Sequence, residues 1–167
     1  MSSQPLLSLE NLCTHYFSHH GSRVVRAVPG GPHSGSLPWA AHRALGGDAL
    51  SVTAFSPSYP ESHPRVAEKG VADFGLAHRF VETHEMARPA YRANGPDRCY
   101  HCKYELFSTL TELARSRGFA AVADGNNADD RGDYRPGRQA AREFGVLSPL
   151  DEAGLTKDDI RELSREA

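Results

Sequence analysis

The sequence predicts an α/β fold, a parallel sheet flanked by helices in three layers, and three observations carry that prediction. Short β-rich runs alternate with segments whose apolar residues recur at helical spacing. Glycines stand where the helical segments should stop, at Gly46, Gly75 and Gly118. No internal repeat and no low-complexity tract breaks the alternation.

Taken in order, Leu6, Leu9, Leu12, Cys13, Tyr16 and Phe17 predict a leading helix over 6–19, within a segment 1–22 that precedes the α/β domain proper, 23–167. The first strand is expected at 23–28 and runs into a loop, Pro29-Gly30-Gly31-Pro32-His33-Ser34, followed by a helical stretch through Trp39 to Leu45. A second strand is expected at 49–55, a turn at 57–60, a helix from about 61 to 74 and a third strand at 78–81. Residues 82–97 are polar and rich in turn formers, and are expected to be irregular. Leu106, Phe107, Leu110, Leu113 and Ala114 share one face of a helix over 100–117. A fourth strand at 119–123, a short helix at 138–144 and a short strand at 146–147 follow. Thr156 with Asp159 forms a variant capping box that opens a last helix from Lys157.

With 167 residues the chain suits one domain, and 39% hydrophobic with 24% charged residues is an ordinary globular composition. A formal net charge of −2 gives no electrostatic reason to expect nucleic acid or an anionic membrane. No run approaches eighteen apolar residues, and residues 1–21 lack the basic and apolar regions of a secretory signal. Three cysteines, Cys13, Cys99 and Cys102, fit a reducing cytoplasm better than a disulfide scaffold.

In a parallel sheet, ligands lie beyond the carboxyl ends of the strands. That rule selects the loops 29–35, 56–61, 82–102 and 124–137. In the first, Gly30 and Gly31 permit close backbone approach to an anion, and Ser34 can cap the next helix or bond a phosphate oxygen; a plain tight turn is the alternative. Arg98-Cys99-Tyr100-His101-Cys102-Lys103 sets a CxxC pair at a helix start, where the dipole and the two cations favour a thiolate. Two thiols alone are too few for a closed metal site, and two ordinary reduced cysteines remain the alternative. Asp124-Gly125-Asn126-Asn127-Ala128-Asp129-Asp130 follows the fourth strand directly; it suits magnesium, ribose or substrate hydroxyls, or else is a solvated turn. Arg135 is a candidate phosphate or carboxylate partner, or a surface arginine. Arg131-Gly132-Asp133 is treated as a chance tripeptide.

These segments, with Ser56-Pro57-Ser58, Tyr91-Arg92-Ala93-Asn94, Asp133-Tyr134-Arg135-Pro136-Gly137, Ser148-Pro149-Leu150 and Gly154-Leu155-Thr156, occur in an order that resembles the LarE-type ATP-dependent sulfur transferases over about residues 50–167. The resemblance implies a Rossmann-like fold of the adenine nucleotide alpha hydrolase type, C-terminally incomplete here. It implies that ATP adenylates a carboxylate of a pyridinium mononucleotide, that a cysteine sulfur displaces AMP, and that the product serves nickel-pincer nucleotide synthesis. ATP and magnesium, an iron–sulfur cluster in some members, a small-molecule nucleotide substrate and homo-oligomers are implied with it. Carried onto this sequence, the nucleotide contacts are Gly30, Gly31, Ser34, Thr53, Ala54, Ser56, Asp124, Gly125, Asn127 and Arg135. Asp130 would hold magnesium; Arg98, Cys99 and Cys102 would serve the sulfur chemistry, the two cysteines also as cluster ligands. The family's pyrophosphate loop reads Ser-Gly-Gly-x-Asp-Ser, whereas Pro29 and His33 stand here at its first and fifth places. Pro29 and Pro32 supply no N–H to an anion, and His33 replaces a carboxylate. The alternatives are an amide-forming synthetase of the NAD or GMP type, which needs no CxxC, and an inactive nucleotide-binding remnant.

Overall fold

The computed structural model describes residues 24–27, 36–58, 62–132 and 134–166. The expected leading helix and the loop bearing Gly30, Gly31 and Ser34 lie outside the described residues. Strands β1 (Val24–Ala27), β2 (Ala49–Phe55), β3 (His78–Glu82) and β4 (Ala121–Ala123) pair in the order β3-β2-β1-β4, every pair parallel. Leu147 extends the edge beyond β4 by a parallel bridge to Ala123: the Leu147 N–H donates to the Val122 carbonyl at 2.9 Å, and the Leu147 carbonyl accepts from the Asp124 N–H at 2.8 Å. The short strand expected at 146–147 is this bridge.

Helices α1 (Ser36–Leu45), α2 (Ser62–Phe74), α3 (Pro89–Arg92), α4 (Arg98–Arg117), α5 (Pro136–Glu143), α6 (Pro149–Glu152) and α7 (Lys157–Glu166) join these strands. Alternation along the strands sorts the core into two faces. Ala49 and Ala123 meet Leu37, Ala40 and Ala41 of α1 and Ile160 of α7, whereas Val52 and Val122 meet Phe107, Leu110 and Ala114 of α4 and Ala140 and Ala141 of α5. Helices thus cover both sides, which is the three-layer arrangement the alternating sequence predicts.

The stop signals act as expected. Gly75 and Gly118 take positive φ, 62° and 68°, and the Gly118 N–H closes onto Arg115 O at 3.3 Å. Pro38 and Pro64 are each the third residue of their helices, where the missing N–H has no intrahelical partner to lose. The Thr156 capping box forms: its N–H donates to Asp159 Oδ2 at 2.8 Å, and the Asp159 N–H returns to Thr156 Oγ1 at 3.2 Å. Two local expectations are corrected. Residues 82–97 are not irregular throughout, since a 3-10 turn spans Glu85–Ala87 and Pro89 opens the short α3. Pro149 likewise starts a short helix, α6, that no apolar periodicity announces.

Candidate functional site

The strand order reverses between β1 and β4. The two leave the sheet side by side, Arg26 opposite Ala123, so Asp124 begins its loop at the topological switch point. Across β1, the end of β2 lies two strand spacings away, about 10 Å.

The loop after β4 is built from buried polar groups. Asp124 is buried, and its Oδ1 accepts from the Asn126 N–H at 3.1 Å and from the Ser148 hydroxyl at 2.8 Å, its Oδ2 from Asn126 Nδ2 at 2.7 Å. Asn127, also buried, caps the 3-10 turn Ala128–Arg131: its side chain accepts from the Asp129 N–H at 3.2 Å, and its own N–H donates to Asp130 Oδ2 at 3.1 Å. Asp130 is 3% exposed, and its Oδ1 faces Arg135 Nη2 at 3.0 Å and Lys157 Nζ at 3.7 Å. The carboxylate predicted to hold magnesium therefore faces two cations. Among the described residues no three His, Cys, Asp or Glu side chains are grouped as metal ligands. Gly125 sits half-buried at the mouth of this loop.

Arg98, Cys99 and Cys102 occupy the first turn and a half of α4. Cys99 is exposed, Cys102 is half-buried, and neither is in a disulfide. Arg98 donates through Nη2 to the Tyr91 hydroxyl at 2.8 Å and lies 4.4 Å over the Tyr91 ring, so its guanidinium is held against α3. The thiol turn and the β4 loop are brought together at Gly137. A Cβ there would lie 2.8 Å from Lys103 Cγ and in ordinary contact with the Cys99 carbonyl oxygen at 3.5 Å, so at this separation of α5 and α4 any larger residue requires the lysine stem to shift. Arg135 is the N-cap residue of α5, two residues from that contact.

The β2 candidates sit differently. Thr53 and Ala54 lie within β2 rather than after it, and the buried Thr53 hydroxyl is 3.0 Å from His78 Nε2 on β3. Ser56 is buried, with its hydroxyl on the carboxylate of Glu85, a residue the sequence offered no reason to single out. Glu85 is 1% exposed and accepts from Ser58 as well. Burial pushes its carboxyl up, but the Ser56 and Ser58 hydroxyls, its own N–H and Thr83 outweigh that and hold it below the usual glutamate range. The signal for Glu85 was absent because its partners come from another strand end.

No protein-family model matches the chain. It is similar to an uncharacterized protein of Synechocystis sp., 43% identical over 157 residues, 94% of this chain and 58% of that protein. It is also similar to the pyridinium-3,5-bisthiocarboxylic acid mononucleotide synthase of Lactiplantibacillus plantarum, 32% identical over 145 residues, 86% of this chain and 52% of the synthase. The chain thus spans a little over half the length of these relatives. In fold it is similar to the NH3-dependent NAD synthetase of Campylobacter jejuni, with a TM-score of 0.69 and 15% identity over 95% of this chain and 71% of that one. The NMN synthetase of Francisella tularensis gives a TM-score of 0.65 at 15% identity, over 95% of this chain and 66% of that one.

Proposed function

We propose that this chain, a homologue of the LarE-type synthase, carries the nucleotide-binding and thiol-bearing part of an ATP-dependent sulfur transferase acting on a carboxylate of a pyridinium mononucleotide. One observation carries the reading. Gly137, two residues after Arg135, lies against Lys103 and the Cys99 carbonyl, so the end of the β4 loop and the CxxC turn adjoin; this supports a site in which Arg135 and a cysteine act together.

ATP suits the strand ends in two respects. Polar side chains, Asp124, Asn127 and Ser56, are buried at the carboxyl ends of two strands separated by β1, and Arg135 stands exposed beside the first group. Gly30, Gly31 and Ser34 complete the proposal as the phosphate-side contacts, Thr53, Ala54 and Ser56 as the adenine-side ones, and Gly125 at the loop mouth. Magnesium enters with ATP, on the phosphate oxygens, and no step is derived from Asp130 as its ligand. An iron–sulfur cluster needs more thiolates than Cys99 and Cys102 supply, so none is invoked.

The chemistry balances in two displacements and one elimination. A substrate carboxylate oxygen attacks the α-phosphorus, forming a mixed anhydride with AMP and releasing pyrophosphate. A cysteine thiolate then attacks the acyl carbon and AMP leaves, giving a thioester to the chain; loss of the cysteine Cα proton with cleavage of its Cβ–Sγ bond releases the thiocarboxylate and leaves dehydroalanine. Cys99 is the better placed nucleophile, being exposed in the first turn of α4 between Arg98 and Lys103. The reading suits a reducing cytoplasm, and no described helix is long and apolar enough to cross a membrane.

Calorimetry of the chain with Mg·ATP should give a dissociation constant below about 1 mM, the upper range of working enzymes. Cys99→Ser and Cys102→Ser should leave that affinity unchanged, while sulfur transfer falls at least about a hundredfold for the nucleophile's variant. No heat with millimolar Mg·ATP overturns the proposal. ATP-dependent amide formation that survives both serine variants would replace it with the synthetase alternative.

A further inference from the structure

We propose that Glu85 is a positioning residue that sets the backbone of the turn after β2 for the nucleotide and ties that turn to the thiol helix. The inference rests on the nucleotide reading above and assigns a role to a residue that reading does not use.

Three observations support it. First, Glu85 is 1% exposed, and among the described residues the donors that hold its charge are neutral ones, with no ion pair. A buried carboxylate held by hydroxyls is a poor stabilising device compared with apolar packing, so its use here calls for a geometric explanation. Second, the donors form one closed knot. The Ser56 and Ser58 hydroxyls both donate to Glu85 Oε1, the Ser58 N–H donates to Ser56 Oγ at 3.1 Å, and the Thr83 N–H donates to the Phe55 carbonyl at 3.0 Å. The Ser56 hydroxyl is thereby turned inward, its hydrogen on Glu85 and a lone pair on Ser58. What the turn can offer a ligand is its backbone, and Glu85 decides how that backbone faces.

Third, the segment that begins at Glu85 is pinned to α4 at two further points. Arg88 pairs with Glu105 at 2.6 Å, and the buried Tyr91 accepts from Arg98, the residue before Cys99. Glu85, Arg88 and Tyr91 thus form a strap from the β2 rim to the thiol turn. A shift of the Glu85 end moves both halves of the proposed site relative to each other.

The test compares the full chain with Glu85→Gln, which keeps the shape and one acceptor oxygen, with Glu85→Ala, and with the pair Ser56→Ala and Ser58→Ala. Calorimetry with Mg·ATP should show affinity falling about tenfold in Glu85→Gln and further in Glu85→Ala. Amide hydrogen exchange should rise over residues 55–58 and 83–85 without rising in α5 or α7. The serine pair should reproduce the affinity loss, and adding Glu85→Gln to it should change little more. If Glu85→Ala does not fold, Glu85→Gln and the serine pair carry the same comparison. Wild-type affinity in Glu85→Gln with unchanged exchange overturns the inference, and so does exchange that rises throughout the fold, which marks a general loss of stability. Absence of Mg·ATP binding in the unmodified chain overturns the nucleotide reading itself, and this inference with it.

Discussion

At the scale of single residues, Gly137 shows how a missing side chain can organise a site. Its φ is unremarkable, so the requirement is one of space. A methyl group at that position would lie 2.8 Å from Lys103 Cγ, which must shift, and in ordinary contact with the Cys99 carbonyl oxygen at 3.5 Å. Cγ lies close to the α4 backbone, so the lysine cannot clear the space by moving its far end alone. Gly137→Ala should therefore cost about 1–2 kcal/mol in urea unfolding, the range of modest overpacking, and should alter the alkylation rate of Cys99. Unchanged stability and thiol reactivity would mean that α4 and α5 are not held at this distance. Asp124, Asn127 and Asp130 were legible in the sequence as a polar cluster at a strand end. Their partners Ser148, Arg135 and Lys157 come from later segments, and no local spacing announces those bonds. Glu85 was not legible at all, being one acidic residue in a polar stretch.

Among the elements, β2 and β3 form the most polar strand pair. Thr53 on β2 meets His78 on β3 at 3.0 Å, and the His78 ring lies edge-on to Phe80, with centroids 4.6 Å apart. Burial holds His78 below the usual histidine range, partly opposed by the Glu68 carboxylate. The folded state thus resists protonation more than the unfolded chain does. Stability from this group is fully present above the unfolded value, about 6.5, and is lost as pH falls from there through the lower folded value. Thermal unfolding between pH 7 and pH 5 should show that decline, and His78→Gln, which keeps a polar partner for Thr53, should flatten it. A decline of equal slope in the variant would assign it to other groups. Most elements were readable from periodicity and glycine stops, with β2 found at its observed limits. The 3-10 turn at Glu85–Ala87 and the four-residue α3 and α6 escaped because one turn of helix is too short to show a period.

For the whole molecule, two cores on opposite faces of one sheet make the helix layers cooperate through the strands. Phe107 and Leu110 are fully buried on the α4 face, against Val52 and Val122. Phe107→Ala should destabilise the chain by about 3–5 kcal/mol in urea unfolding, while Phe74→Ala, at 45% exposure, should stay within about 0.5 kcal/mol of the parent. Similar losses from both would mean that the α4 face is not the core. By itself the sequence determined the fold class, the parallel sense of the sheet and the loops that follow its strands, because alternation, periodicity and stop residues are local properties of the chain. Only the tertiary structure decided the order β3-β2-β1-β4, the meeting of the thiol turn with Arg135 through Gly137, and the burial of Glu85 among serines of a neighbouring strand end. Those depend on which distant surfaces pack together, and side-chain packing between segments far apart in the chain leaves no periodic trace in either of them.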